Sequence, residues 1–275
     1  MTITAALLDI DGTLVARGRP VPGAASTLAW LRDRGIGVRL LTNIDSRTPA
    51  TVCRELAAAG IEVDASSVFT PVVAALRFLE QQPSSRCHLL LSDELRALFA
   101  AHDAGEGEAD YVLVGDCRQV AGYAPLNAAF RRLKDGAQLL ALQRGRFFLT
   151  ADGASLDTGA FVALLEYASG QTSRSFGKPS PDFFAMALAE LGCAPGEAVV
   201  VGDDITTDVA GAVAVGASAV LVRTGKFAGG PPAAAAAPLA VIDSIADLPR
   251  LLEEITAPPE PDACHPAGAG SGPDG

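Results

Sequence analysis

Strand-like and helix-like segments alternate at both ends of this chain, the strand-like runs stop at acidic or polar loops, and a stretch long enough for a second domain separates the two ends. Together these predict an α/β fold, a Rossmann-like doubly wound parallel sheet with a smaller α/β domain inserted into it.

The elements follow in order. The apolar run Ile3 to Leu8 ends at Asp9 and is broken by Gly12-Thr13, as expected of a buried parallel strand whose carboxyl end meets a loop. Gly23 to Arg34 has helical spacing through Ala24, Leu28 and Leu31 and is closed by Gly35. A second strand, Val38 to Leu41, stops at Thr42-Asn43, and a helix from Pro49 to Ala59 is closed by Gly60. Near the other end, Ala198 to Val201 runs into Gly202-Asp203-Asp204, and Ala219 to Val222 into Arg223-Thr224-Gly225. Between these halves, Cys87 to Leu91, Tyr111 to Val114, Gln138 to Leu142 and Arg146 to Thr150 read as strands and Gly159 to Ala168 as a helix. Residues 1–79 and 176–255 are therefore expected to form the core domain and 80–175 the inserted one. Residues 256–275, rich in Pro, Gly and Ala without periodicity, are expected to be a disordered tail. Pro231 to Pro238 is expected to be a surface loop.

The chain has 275 residues, 49% of them hydrophobic and 19% charged, enough apolar material for a substantial core. Its net charge of -11 repels nucleic acid and anionic membrane surfaces, so neither is an expected partner. Cys53, Cys87, Cys117, Cys193 and Cys264 are odd in number, scattered and free of CxxC spacing, which argues against a disulfide framework or a zinc site. No apolar run reaches the roughly 18 residues of a membrane helix, and the first residues lack the basic region of a signal peptide. The expected location is the cytoplasm.

In open parallel sheets reactive groups collect at the carboxyl ends of the strands. Here those ends carry Asp9 and Asp11, then Thr42 and Asn43, then Asp203, Asp204 and Asp208. Carboxylates gathered there repel one another and call for a hard divalent cation with oxygen ligands, of which Mg2+ is the most available. Each group alone also reads as a strand-ending turn or a helix cap; their recurrence at three strand ends is what points to a site. Of only three lysines, Lys134, Lys178 and Lys226, Lys178 follows the segment that returns from the inserted domain. It also reads as a solvated lysine ahead of a helix beginning at Pro179 or Pro181. Lys226 is expected to be an ordinary surface lysine.

Asp9-Ile10-Asp11-Gly12-Thr13-Leu14, Thr42, Lys178 and Gly202-Asp203-Asp204 with Asp208 resemble the four successive motifs of the haloacid dehalogenase superfamily over residues 1 to about 255. An insertion between the second and third motifs resembles the NagD-like and phosphoglycolate-like phosphatases with a larger α/β cap. Leu156 to Phe161, Ala163 to Ala168, Gly177 to Pro181 and Val222 to Phe227 resemble the branch that contains phospholysine phosphohistidine inorganic pyrophosphate phosphatase. Many relatives carry Thr-Asn-Asn at the second motif, where this chain has Thr42-Asn43-Ile44.

The resemblance implies a phosphatase acting on a small phosphorylated compound, a phosphomonoester, pyrophosphate or a phosphoramidate. It implies that Asp9 attacks phosphorus to form an aspartyl phosphate while Asp11 protonates the leaving group and then activates water. It implies Mg2+ held by Asp9, the backbone carbonyl of Asp11 and Asp203, with Gly12, Asp204 and Asp208 in support. Thr42, Asn43 and Lys178 would contact the phosphoryl group, and a homodimer is implied as well. The turn Ser155 to Gly159, with Leu156, Asp157 and Thr158, is the candidate cap loop that reaches the site; a plain helix cap is its other reading. Two further classes stay open: a phosphoacceptor signalling module of the receiver type, and a catalytically silent binding protein on the same scaffold.

Overall fold

The continuous apolar runs that close on Asp9 and Gly202 are the two central strands of a parallel sheet in a computed structural model that describes residues 2–150, 152–227 and 237–256. The tail beyond Thr256 and most of the expected loop from Pro231 to Pro238 lie outside the described residues; Thr256 itself ends a helix.

The first half of the core domain runs β1 (Ala5–Asp9), a short hairpin β2 (Val15–Ala16) and β3 (Arg19–Pro20), α1 (Ala24–Asp33), β4 (Gly37–Leu41), α2 (Pro49–Ala58), β5 (Val68–Phe69) and α3 (Pro71–Glu80). Thr48 and Thr70 start α2 and α3 by accepting hydrogen bonds from the Thr51 and Val73 amides, and a proline follows each where no amide is needed. The inserted segment runs β6 (Cys87–Leu90), α4 (Asp93–Leu98), β7 (Tyr111–Val114), α5 (Tyr123–Lys134), β8 (Gln138–Ala141), β9 (Phe147–Thr150), β10 (Gly153–Leu156), α6 (Thr158–Ser169) and β11 (Arg174–Ser175). The chain then returns through α7 (Pro181–Glu190), β12 (Ala198–Gly202), a π-helical turn Ile205–Val209, α8 (Ala210–Val215), β13 (Ser218–Val222), β14 (Ala240–Ile242) and α9 (Leu248–Thr256).

The fold is α/β. The core sheet has the order β14-β13-β12-β1-β4-β5 with every pair parallel, and β1 and β12 are wholly buried, which is why both read as unbroken apolar runs. The chain leaves β1 toward β4 and β5 and comes back on its other side as β12, so the order reverses beside β1 and opens a crevice there. Register fixes the height of that crevice. Leu8 lies level with Val201 and Asp9 level with Leu41, so Asp9, Thr42 and Asp203 emerge at one edge.

A second parallel sheet, β11-β8-β7-β6, forms the inserted domain. The expected strand Arg146 to Thr150 forms as β9 and pairs antiparallel with β10 in a separate hairpin. One continuous apolar cluster joins the domains: Leu89, Leu113 and Leu140 of the inserted sheet share it with Phe176, Phe183 and Phe69. Phe78 of α3 packs 5.3 Å from Phe176 and 5.7 Å from Tyr111, ring to ring. Fully burying each such ring stabilises by about 1.5 to 3 kcal/mol, so the inserted domain is seated on the core by apolar contact.

Candidate active site

Both parallel sheets turn their carboxyl ends toward the same cavity, of about 390 Å³. From the core sheet come Asp9 at the end of β1, Thr42 after β4 and Asp203 after β12; from the inserted sheet come Asp116 after β7, Gln143 after β8 and Lys178 three residues beyond β11.

Lys178 is 5% exposed, and its ammonium donates to Asp9 Oδ1 at 2.5 Å and to Asp208 Oδ1 at 2.7 Å. Its place is set through the main chain. Asn43 donates to the Lys178 carbonyl at 2.9 Å and accepts from the Lys178 amide at 2.7 Å. Both ends of the Asn43 amide group, expected to contact phosphate, are thus engaged in holding the lysine. Buried Thr42 accepts from the Ile44 amide at 3.1 Å, and Thr13 donates to Asp9 Oδ2 at 3.3 Å.

Asp203 is cradled by two glycines. At Gly12, whose φ of 99° is itself unfavourable for any side chain, a Cβ would strike the Asp203 carboxylate, and at Gly225 it would do the same. The Lys226 amide donates to Asp203 Oδ2 at 2.6 Å. Asp204 accepts from the Thr206 amide and hydroxyl at 2.8 and 2.6 Å and so starts the π-helical turn, a feature frequent at functional sites. That turn delivers Asp208, whose Oδ2 accepts from the Asp204 amide at 3.2 Å.

Oxygens of Asp9, Asp203 and Asp208 lie within 4.8 Å of one another, all three residues buried. Three carboxylates against one buried ammonium leave two negative charges, which matches a divalent cation held by oxygen donors. Burial pushes the Asp9 carboxyl up, to about 8, with Asp208 and Asp203 adding to the shift and Lys178 opposing it. Added positive charge, as a proton or a cation, relieves that repulsion. Burial alone would lower the Lys178 ammonium, but Asp208 and Asp9 outweigh it and hold it above the ordinary lysine value. Asp11 sits at the exposed mouth, where partial desolvation raises its carboxyl against the opposing fields of Arg47 and Lys178. A proton donor needs that direction of shift.

Asp9, Asp11, Thr42, Asn43, Lys178, Asp203 and Asp208 all line the cavity, while Gly12 and Asp204 stand behind it. Of the cap loop, Asp157 lines the cavity and Thr158 is buried beside it, but Leu156 is 63% exposed and outside the lining. Several residues escaped sequence reasoning. Lys226, expected to be an ordinary surface lysine, lines the cavity, donates from Nζ to Asp204 at 3.1 Å and secures Asp203 through its amide. Asp116 and Gln143 stand at strand ends of the inserted sheet, so the rule that found Asp9 and Asp203 would have found them too. Arg118 pairs with Asp116 through two bonds of 2.7 and 2.8 Å and lies 4.5 Å from the Phe148 ring. Asp45 had no such signal.

Comparison with known proteins completes the picture. Residues 6–105 match the model of a haloacid dehalogenase-like hydrolase family and residues 175–248 that of a second, described as HAD-hydrolase-like. A mouse protein, haloacid dehalogenase-like hydrolase domain-containing protein 2, is 36% identical over 225 residues, 82% of this chain and 86% of its own. The chain belongs to the haloacid dehalogenase-like hydrolases. The Xenopus laevis phospholysine phosphohistidine inorganic pyrophosphate phosphatase is 34% identical over 232 residues, 82% of this hydrolase and 85% of its own length. Among solved structures, NagD from E. coli superposes with a TM-score of 0.80 at 29% identity, covering 90% of this chain and 98% of its own. A 4-nitrophenylphosphatase from Thermotoga maritima gives 0.81 at 25% identity, over 90% and 97%. The inserted domain of this hydrolase is accordingly a NagD-like cap. Enzymes of the family generally use a divalent metal, and the buried Asp9, Asp203 and Asp208 cluster suits one. Among the described residues no helix is long and apolar enough to cross a membrane.

Proposed function

We propose that this HAD-type phosphatase is a Mg2+-dependent phosphohydrolase that works through an aspartyl phosphate at Asp9 on a small phosphorylated compound. The observation that carries the reading is the buried ion triad, Lys178 between Asp9 and Asp208, beside Asp203 at the ends of β1 and β12. Asp9, Asp203 and the backbone carbonyl of Asp11 would hold the ion, which supplies positive charge against the phosphoryl oxygens. Asp208 is better suited to orienting Lys178, because one of its oxygens accepts from that ammonium and the other from the Asp204 amide.

Asp9 is the nucleophile: its carboxylate attacks phosphorus in line, and the leaving oxygen takes a proton from Asp11. In the second half Asp11, now ionised, removes a proton from the water that hydrolyses the acyl phosphate. Lys178 and the Thr42 hydroxyl oppose charge on the equatorial oxygens. Phosphoryl transfer depends chiefly on such positioning and electrostatics. Asn43 acts indirectly, by fixing the Lys178 main chain. The named phosphatases among the relatives support phosphate esters, pyrophosphate or phosphoramidates as substrates. A homodimer and a cytoplasmic location belong to the same proposal.

Phosphate release from p-nitrophenyl phosphate tests it. Chelation should abolish turnover and Mg2+ restore it, whereas Ca2+, with its looser and higher-coordinate shell, should not. Acid quenching during turnover should leave a phosphorylated peptide containing Asp9. Full activity after exhaustive chelation would remove the metal from the mechanism.

A further inference from the structure

We infer that Asp45 is a positioning residue that seats the cap turn Asp157-Thr158 over the reaction centre, acting from the core through Thr158 and Gln143. The inference rests on the phosphatase reading and concerns how its cap wall is held in place.

Asp45 belongs to the core, three residues beyond Thr42, and is only 4% exposed. Its partners are in the cap. Thr158, the first residue of α6, donates from its hydroxyl to Asp45 Oδ2 at 2.6 Å. Gln143 donates from Nε2 to Asp45 Oδ1 at 3.5 Å and to Asp157 Oδ1 at 2.7 Å, while its Oε1 accepts from the Gly145 amide. Asp157 Oδ1 also accepts from the Thr158 amide at 2.9 Å. One core carboxylate is thereby built into a network otherwise made of cap residues.

The two cap turns in that network are themselves locked together. The Gly159 amide donates to the Gly145 carbonyl at 2.9 Å; a Cβ at Gly159 would strike the Arg144 and Gly145 backbone, and one at Gly145 the Asp157 carboxylate. Asp45 is the core group bonded to both. A buried carboxylate stripped of its donors is costly, so any shift of the cap that removes Thr158 and Gln143 is opposed. Arg118 on the same wall pairs with Asp116 rather than with Asp45, so the seat is built from neutral donors. Seated this way, Asp157 lines the same cavity as Asp11 and Lys178. Asp45 touches no reacting atom in this scheme; it fixes the wall that meets the leaving group.

The test combines exchange and kinetics on the full chain. Asp45→Ala and Thr158→Val should each speed amide hydrogen exchange in residues 155–162 by roughly tenfold, leaving β6 and β7 unchanged. With p-nitrophenyl phosphate each should raise KM by about five- to tenfold while kcat stays within about threefold. The double variant should be no worse than Asp45→Ala alone, since both remove one link, and Asp45→Asn, which keeps an acceptor for Thr158 but not for the longer Gln143 contact, should recover most of the wild-type behaviour. Should Asp45→Ala fail to fold, Thr158→Val carries the same readouts. Unchanged exchange at 155–162, additive effects, or a fall in kcat at constant KM would each overturn the inference. A wild-type protein inactive on the aryl phosphate would instead overturn the phosphatase reading, and exchange alone would then decide the role of Asp45.

Discussion

The cavity has two acidic walls that behave differently. On the core wall Asp9, Asp203 and Asp208 converge to within 4.8 Å around a single buried ammonium. On the other wall every carboxylate is matched by donors: Asp116 by a bidentate arginine, and Asp45 and Asp157 by Thr158 and Gln143, which they share. Carboxylates that converge faster than cations are supplied leave charge that an added ion can neutralise, whereas carboxylates matched by hydrogen-bond donors build a rigid polar surface. The number of acids therefore says little about where a metal sits; convergence says most.

The largest test of that contrast is at the proposed nucleophile. Asp9→Asn should lower turnover of p-nitrophenyl phosphate by on the order of a thousandfold or more, with the fold intact because the swap relieves repulsion among neighbours. Asp116→Asn on the other wall should stay within about tenfold. Retention of more than a tenth of wild-type turnover by the Asp9 variant would erase the distinction between the walls.

Lys178→Met comes next, with an expected loss of about 100- to 1,000-fold in kcat, typical of a removed charge-stabilising donor. It also leaves Asp9 and Asp208 without their ammonium, so Mg2+ should raise its melting temperature by more than it raises that of the wild type. Lys134→Met, at the exposed end of α5, should be silent in both measurements. Equal effects at the two positions would mean the wrong lysine has been chosen.

On the cap-facing wall the expected effect is on stability. Burial raises the Asp45 carboxyl from 3.8 to about 7, with Asp157 and Asp116 adding to the shift and Thr158 and Gln143 opposing it. Between those values the folded state binds a proton that the unfolded chain has released, so this group's contribution is complete below about pH 4 and is lost as pH rises through about 7. Asparagine cannot lose that proton. Urea unfolding should therefore show Asp45→Asn gaining on the wild type between pH 5 and pH 8, by at most about 3 kcal/mol. A difference that stays flat with pH would mean that Asp45 ionises as an ordinary aspartate.

The smallest effect is expected at Lys226. Its side chain is 72% exposed, and what it gives Asp203 is a backbone amide bond that substitution keeps. Lys226→Met should cost less than about fivefold in kcat/KM. Replacing the neighbouring Gly225 by alanine, which would collide with Asp203, should weaken Mg2+ activation far more.

Much of the core wall was legible in the sequence because a strand buried on both faces is written as an unbroken apolar run, and the residue after such a run lies at the sheet edge. That rule located Asp9, Thr42 and Asp203. Applied to the inserted domain it would also have located Asp116 and Gln143, since β7 and β8 end in the same cavity. The strand at 146–150 was legible as well, but its pairing with β10 in a separate hairpin was not, because a short run carries no record of its partner.

The sequence by itself determined the alternation of strand and helix, the strand-end acids and the interruption between them, because these depend on periodicity and local turn chemistry. Only the tertiary structure decided that Asn43 holds the Lys178 backbone across 135 residues of chain, that Gly225 makes room for Asp203, and that Asp45 bonds to Thr158 across 113. Each of those depends on which loops two facing sheets bring within 3 Å of one another. Nothing in the local pattern of either partner encodes that distance; it follows from packing the cap onto the core through Phe78, Phe176 and their neighbours.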